Sequence, residues 1–264
     1  MGMQISVLAS GSTGNSLYIE SGQQHLLVDC GLSGKKMIDL LAQIDRLPED
    51  ITGILVTHEH SDHVKGLGVF ARRFHTPVFA NAKTWEAMPG LIGEIPNEQK
   101  FNFQANTIKD FGPLSIESFS VSHDAADPMF FMIHEGDKKV ALLTDLGYVS
   151  EHIKGMISDA DAYIMEANHD TEMLMMGPYP WSVKQRILGD TGHISNEESA
   201  RALTEVIGGH TQRIYLAHLS RDNNMKELAH LSVGQRLETM GLRLGRDLAL
   251  LDTDPDHATC LAAI

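Results

Sequence analysis

Apolar and polar positions alternate with a period near two along several stretches of the chain, and with a period near 3.6 along others. The run Gln4 to Ala9 predicts a strand, and the turn Ser10-Gly11-Ser12-Thr13-Gly14-Asn15-Ser16 leads to strands at Leu17–Glu20 and His25–Asp29. From about Gly34 to Ile44 the pattern changes, placing Met37, Ile38, Leu41 and Ile44 on one face of an amphipathic helix. Gly53–Thr57 reads as a short buried strand, Ser61 to Phe74 as a helix, and Pro77–Ala80 as another short strand.

Ile108 to His123 and Met129 to Thr144 predict consecutive strands, split by Asp110-Phe111-Gly112-Pro113 and Glu135-Gly136-Asp137 turns. Further on, Ala162–Glu166, Ile214–Ala217 and Ala249–Asp252 read as strands, with helices near Ser182–Leu188, Asn196–Ile207 and Lys226–Met240. Ser195 and Glu198 have the Ser-x-x-Glu spacing of a capping box, which fixes where the second of these helices starts. The strands come in antiparallel-looking runs with helices interspersed. Two sheets facing each other with helices outside satisfy both patterns. The expected class is therefore α/β (α+β), a four-layer αββα sandwich. No repeat, low-complexity block or linker divides the chain, so residues 1–264 read as one domain.

At 264 residues and 42% hydrophobic content the chain can bury a substantial core. No run approaches the roughly 18 apolar residues of a membrane span. The first residues lack a basic segment followed by a long apolar core, so no secretory signal is expected. Two cysteines, Cys30 and Cys260, make no disulfide framework or zinc knuckle, and a reducing cytoplasm is the expected location. The formal charge of −14 argues against a basic nucleic-acid-coating surface, although bound divalent cations would add positive charge locally.

Fourteen histidines make their positions the central question. Residues 57–63 read Thr-His-Glu-His-Ser-Asp-His, directly after the apolar run Gly53-Ile54-Leu55-Val56. That spacing lets one loop present His58 and His60 to one metal ion, and Asp62 and His63 to a second. Imidazole and carboxylate suit zinc, manganese or iron. A plain turn would favour Gly, Pro and Asn instead. Three further donors end predicted strands: His123 after Leu114–Ser122, Asp145 after Val140–Thr144, and His218 after Ile214–Ala217. Singly, each is open to a plainer reading as a turn residue or cap. Together with the loop they supply enough donors for two adjacent metals bridged by Asp145.

These motifs, H-x-H-x-D-H, a later lone His, a strand-end Asp and a final strand-end His, resemble those of metallo-β-lactamase-fold hydrolases over nearly the whole chain. The resemblance implies an αββα sandwich with a dinuclear site at one edge. By position it gives His58, His60 and His123 to one metal, Asp62, His63 and His218 to the other, and Asp145 to both. Ser10–Ser16, Asp29-Cys30-Gly31, Glu166-Ala167-Asn168-His169-Asp170, Gly192-His193-Ile194-Ser195-Asn196 and Ala217-His218-Leu219-Ser220-Arg221 resemble the YycJ/WalJ/VicX family. That family is associated with nuclease activity, including 5′-to-3′ exonuclease action on DNA. The tail motifs are also similar to those of the tRNA 3′-processing nucleases. Only 21 residues separate His123 from Asp145, too few for the tRNA-gripping arm of those enzymes. The 72 between Asp145 and His218 are too few for the extra domain of the RNase J relatives.

The expected chemistry is metal-dependent phosphodiester hydrolysis, with two zinc or manganese ions (iron being a further option) sharing and deprotonating a water. Asp62 and His193 are the candidate catalytic groups, His193 as hydrogen-bond donor to phosphate or acid to the leaving oxygen. Asp29 is expected to hydrogen-bond the ligand loop or a ligand His. Lys184, Arg186, Ser195 and Arg221 are candidate substrate contacts. The expected partner is nucleic acid, DNA first, with no membrane; protein partners are left open. Hydrolysis of a small ester, thioester or lactone is the competing reading, and RNA processing a second; a retired, non-catalytic site is a third.

Overall fold

The structure is a computed structural model describing residues 2–264; Met1 lies outside the described residues. The first half runs β1 (Gln4–Ala9), β2 (Ser16–Ser21), β3 (Gln24–Val28), α1 (Gly34–Gln43), β4 (Gly53–Leu55), α2 (Ser61–Val64), α3 (Leu67–Phe74), β5 (Val78–Ala80), α4 (Ala82–Ala87), α5 (Pro89–Ile92) and β6 (Lys100–Asn102). There follow β7 (Ile108–Phe111), β8 (Leu114–Ser120), β9 (Met129–Glu135), β10 (Lys138–Leu143), α6 (Glu151–Ile157), β11 (Ala162–Glu166), α7 (Thr171–Met176) and α8 (Trp181–Ile187). The chain closes with α9 (Asn196–Val206), β12 (Arg213–Ala217), α10 (Lys226–Thr239), β13 (Ala249–Asp252) and β14 (Ala262–Ala263).

Among the described residues these strands make two seven-stranded sheets, ordered β14-β1-β2-β3-β4-β5-β6 and β13-β12-β11-β10-β9-β8-β7. The antiparallel appearance of the sequence holds for only part of each sheet. β1, β2 and β3 pair antiparallel, but β3 to β6 run parallel. β7 to β10 pair antiparallel, and β10 to β13 parallel. Parallel neighbours require crossovers, which α1, α3, α6, α9 and α10 supply on the outer faces.

Strand alternation divides the core. Leu17, Ile19, Leu26 and Val28 face inward onto Ile116, Phe131 and Ile133 of the other sheet. Tyr18 and Leu27, at the intervening positions, pack outward under Met37, Leu40, Leu41 and Phe70. Both faces of each sheet are thus covered, which explains why the strands read as nearly continuous apolar runs.

The helix expected over Ser61–Phe74 is broken after Val64. The Asp62 carbonyl accepts from the Asn15 N–H (2.8 Å), and the Gly66 N–H turns instead to the Cys30 carbonyl (2.9 Å). A Cβ at Gly66 would lie 1.9 Å from the Leu32 carbonyl oxygen, so only glycine allows this approach. Elements α4 to α7, β6 and β14 carry no strong period in the sequence. They are short, and β14 exists through its pairing with β1 at the other end of the chain. The capping box at Ser195 is present in full.

Candidate metal centre

The strands that run parallel end along one edge, and the polar residues just beyond them converge there. β4 leads into Thr57–His63, β8 towards His123, β10 into Asp145, β11 ends on Glu166, and β12 is followed by His218. Asp29, Asp145 and His218 all take left-handed backbone conformations, with φ of 63°, 50° and 55°. Such positions cost on the order of 1 kcal/mol or more each for a residue other than glycine, and persist only where the surroundings enforce them. Here the Asp145 N–H donates to Glu166 Oε1 (3.2 Å) and the His218 N–H to Ser10 Oγ (2.7 Å).

Two groups of donors form at this edge. Ligand atoms of His58, His60 and His123 lie within 4.8 Å of one another, as do those of Asp62, His63, Asp145 and His218. The nitrogens that face away from these centres are held by oxygen acceptors. His63 Nδ1 donates to Asp29 Oδ2 (2.7 Å), His218 Nδ1 to Glu166 Oε1 (2.9 Å), and His123 Nδ1 to the Gly192 carbonyl (3.2 Å). His60 Nε2 donates to the Asp124 carbonyl (3.2 Å). His58 Nδ1 donates to Thr57 Oγ1 (3.0 Å), whose hydroxyl donates in turn to Asp29 Oδ2 (2.7 Å). Each imidazole is thereby set with its other nitrogen directed inward, the arrangement that orients histidine ligands.

The atoms left over fit a cation. His58 Nε2 and Asp145 Oδ2 are buried and have no hydrogen-bond partner among the described residues. Asp145 Oδ2 lies 3.0 Å from His63 Nε2 without hydrogen-bond geometry. Buried polar atoms are ordinarily satisfied, so an inward-facing imidazole nitrogen and carboxylate oxygen without partners suit a metal ion.

The electrostatics are those of closely packed opposite charges. Burial by itself would lower the His63 imidazole, but Asp145, Asp62 and Asp29 together outweigh it and hold it well above its ordinary value. His218 responds likewise: against burial, Asp145, Asp62 and Glu166 push it up to about 10. His58 is driven the other way, by burial first and then by the neighbouring His63. Burial would raise Asp145, yet His218 and His63 bring it well below the usual carboxylate range. Ligation requires neutral imidazole, so a bound cation would displace those protons.

Glu166 is the residue whose importance the sequence did not reveal. It is wholly buried, and it accepts from His218, His193 (2.8 Å) and the Asp145 N–H on Oε1, and from the Leu146 (3.3 Å) and Ile194 (3.2 Å) N–H groups on Oε2. Its ligand atom also lies within 4.8 Å of those of Asp145, His193 and His218. With both oxygens so engaged, the carboxylate serves to orient imidazoles. The signal was available, because Glu166 follows Ala162–Met165 as His218 follows its own strand. Asn15 is a second such residue. Beyond its backbone role its Nδ2 donates to Asp62 Oδ2 (3.2 Å) while its Oδ1 accepts from the Gly11 N–H (2.9 Å). Glu59, inside the ligand loop, accepts from the Ala126 N–H (2.7 Å) and so fixes the segment after His123.

A cleft of about 430 Å³ covers the donors and is lined mainly by polar side chains. His193 lines it with Nδ1 committed to Glu166, so Nε2 is the atom left for a ligand. Burial would lower His193, but Glu166 and Asp145 raise it above its ordinary value. Arg186 also lines the cleft, 3.3 Å from Asp124 Oδ2. Two candidate contacts have partners within the protein. The Lys184 ammonium is turned away from the cleft and donates to the Met175 (2.7 Å) and Gly177 (2.8 Å) carbonyls, tying the α7–α8 hairpin together. Ser195 is buried, and its hydroxyl accepts from the Glu198 N–H (3.2 Å) as the helix cap. Arg221 lines a neighbouring cavity rather than the cleft. His169 is buried without a side-chain partner among the described residues, and Asp170 caps α7.

A family model described as the metallo-beta-lactamase superfamily matches residues 9–218. The sequence is 56% identical over 259 residues to a protein of Bacillus anthracis named exodeoxyribonuclease YycJ, covering 98% of each chain. It is 50% identical over 266 residues to exodeoxyribonuclease WalJ of Streptococcus pneumoniae, covering 100% of this chain and 99% of that one. Among solved structures, the metallo-beta-lactamase fold protein YhfI from Bacillus subtilis superposes with a TM-score of 0.71 at 18% identity, over 98% of this chain and 99% of the other.

Proposed function

This chain belongs to the metallo-beta-lactamase superfamily and, within it, to the family of the YycJ and WalJ exodeoxyribonucleases; from that premise we propose that it is a dinuclear metal-dependent exodeoxyribonuclease. The observation that carries the reading is the convergence of seven inward-facing His and Asp donors beneath one polar cleft that also holds His193 and Arg186. In this reading His58, His60 and His123 would hold one ion, and Asp62, His63, His218 and Asp145 the other, with Asp145 also 3.8 Å from His123. The nitrogen and oxygen donors suit zinc or manganese. Bound there, two such ions supply an activated water and stabilise charge on the phosphate oxygens.

The protein's own groups do the rest. Asp62, Asp145 and the surrounding imidazoles would set where the ions sit, and Asp29 and Glu166 keep those imidazoles in register. His193 presents Nε2 to the scissile phosphate and, held protonated by Glu166, donates to it or to the leaving oxygen. Arg186 offers a guanidinium to the strand at the cleft's rim. All these groups come from the two sheets of one sandwich, so residues 1–264 are taken as a single catalytic unit. Two free cysteines, one buried and one exposed, accord with the reducing cytoplasm.

A small ester would call for a more apolar enclosure than this cleft provides. The test is to load the protein with manganese or zinc and offer 5′- and 3′-labelled single- and double-stranded DNA, RNA, bis-p-nitrophenyl phosphate and a carboxyl ester. Stepwise release of nucleotides from DNA, beginning at the 5′ end, is expected. Hydrolysis of the carboxyl ester alone would overturn the reading.

A further inference from the structure

A second cavity of about 420 Å³ opens beside the metal cleft, between the turn that follows β1 and the loop that joins β12 to α10. Ser12 and Ser220 belong to the walls of both, so the two are contiguous. None of the seven metal-donor residues lines the second one.

Its wall is rich in donors without acceptors. Arg221 is exposed at the cavity and makes no hydrogen bond or ion pair among the described residues. The backbone N–H groups of Ser12 and Thr13 also find no protein acceptor among the described residues. Helix α10 starts at the same wall with no side-chain cap at Met225; the Lys226 and Glu227 N–H groups have no protein acceptor among the described residues, while Glu227 is the one carboxylate in that first turn. The nearby acids are already answered. Asp256 is paired with Lys36 (3.1 Å), and Asp254 accepts from Lys226 (2.7 Å). In a chain of net charge −14, an unpaired guanidinium facing free N–H groups is a local exception that suits an oxyanion.

The surroundings hold this wall in place. Tyr179, which lines the metal cleft, donates to Asp222 Oδ2 (2.7 Å), and the Asp170 N–H donates to the Asn223 carbonyl (2.9 Å). The α7–α8 hairpin thereby fixes the loop that carries Arg221.

We propose that this cavity binds the phosphodiester adjacent to the one being hydrolysed, on a single nucleic-acid strand that crosses the Ser12–Ser220 wall from one cavity to the other. The inference rests on the nuclease reading and adds where the neighbouring phosphate sits. Bis-p-nitrophenyl phosphate has one phosphorus and cannot occupy both cavities, whereas an oligonucleotide can.

The ratio of kcat/KM for a single-stranded DNA oligonucleotide to that for bis-p-nitrophenyl phosphate is measured for wild type, Arg221→Ala, Arg221→Glu and Arg221→Lys, each metal-loaded. Anisotropy of a labelled, cleavage-resistant phosphorothioate strand reports binding in parallel. The ratio is expected to fall about tenfold in Arg221→Ala and further in Arg221→Glu, with partial recovery in Arg221→Lys, whose single ammonium replaces the fork. Strand binding should weaken with it, and its log–log salt slope should shrink by about 0.7, the value for one lost contact to a single strand. An unchanged ratio, or an unchanged strand affinity, in a series whose wild type cleaves both substrates overturns this inference and leaves the nuclease reading intact. A wild type that cleaves neither phosphodiester overturns both.

Discussion

Replacing Glu166 by glutamine keeps the shape of a wholly buried side chain and exchanges one of its two acceptor oxygens for an amide NH2. The better placement of the remaining oxygen is towards His193, His218 and the Asp145 N–H, which together make three of the five hydrogen bonds. The NH2 then faces the N–H groups of Leu146 and Ile194, now without an acceptor. A buried donor left unpaired costs about 1–3 kcal/mol, so the pair costs roughly 2–6 kcal/mol. Set against a typical stability of about 5–15 kcal/mol, that is a large loss from one isosteric change. Losing the charge also weakens the hold on the two imidazoles, and such outer partners change metal affinity by about 10–100-fold. The two effects separate experimentally. Urea unfolding in excess chelator reads the first, and competition with a chromophoric chelator reads the second. A Glu166→Gln protein within about 0.5 kcal/mol of wild type in chelator, binding metal with unchanged affinity, would refute the reasoning.

Removing His60, whose side chain is about a third exposed, should leave the fold intact. His60→Ala is expected to bind fewer metal equivalents by elemental analysis and to lose phosphodiester hydrolysis; full metal-dependent activity would sink the ligand assignment. Lys184→Ala removes two charge-assisted bonds to hairpin carbonyls, each worth about 1.5–3 kcal/mol. It should lower the melting temperature and the hydrogen-exchange protection of residues 171–188, whereas an unchanged stability with a raised KM for DNA would return Lys184 to substrate binding. Arg46 grips Glu20 with two bonds of 2.6 Å, and these bonds hold the Glu20 carboxyl below its ordinary 4.5 despite partial burial. A lowered carboxyl contributes stability above its unfolded value and loses it as pH falls through the folded one. The melting-temperature deficit of Arg46→Ala should therefore be full above about pH 4.5 and shrink on acidification. A deficit that does not change with pH would exclude this coupling.

What could be read from the chain depended on the range of the cause. The candidate ligand loop announces itself because His58, His60, Asp62 and His63 are covalent near neighbours, and their spacing survives any fold that exposes the loop. Strand alternation and the Ser195 cap are equally local, and β1, β11 and β13 lie where the period put them. The break at Gly66 escaped notice because it depends on the Asn15 and Cys30 backbones, which approach from an earlier turn.

The sequence by itself therefore determined the layered class of the fold and supplied the candidate donors of the centre. Tertiary structure decided who serves whom. Glu166 looked like the polar end of a strand until five donors from three segments met it, and Lys184 looked like a phosphate contact until two carbonyls of its own hairpin claimed it. Arg221 stands three residues from the candidate donor His218 in sequence but lines another cavity in space. The reason is physical: ligand identity is a property of a side chain, whereas hydrogen-bond satisfaction and local charge belong to the packed surroundings, which no window of sequence contains.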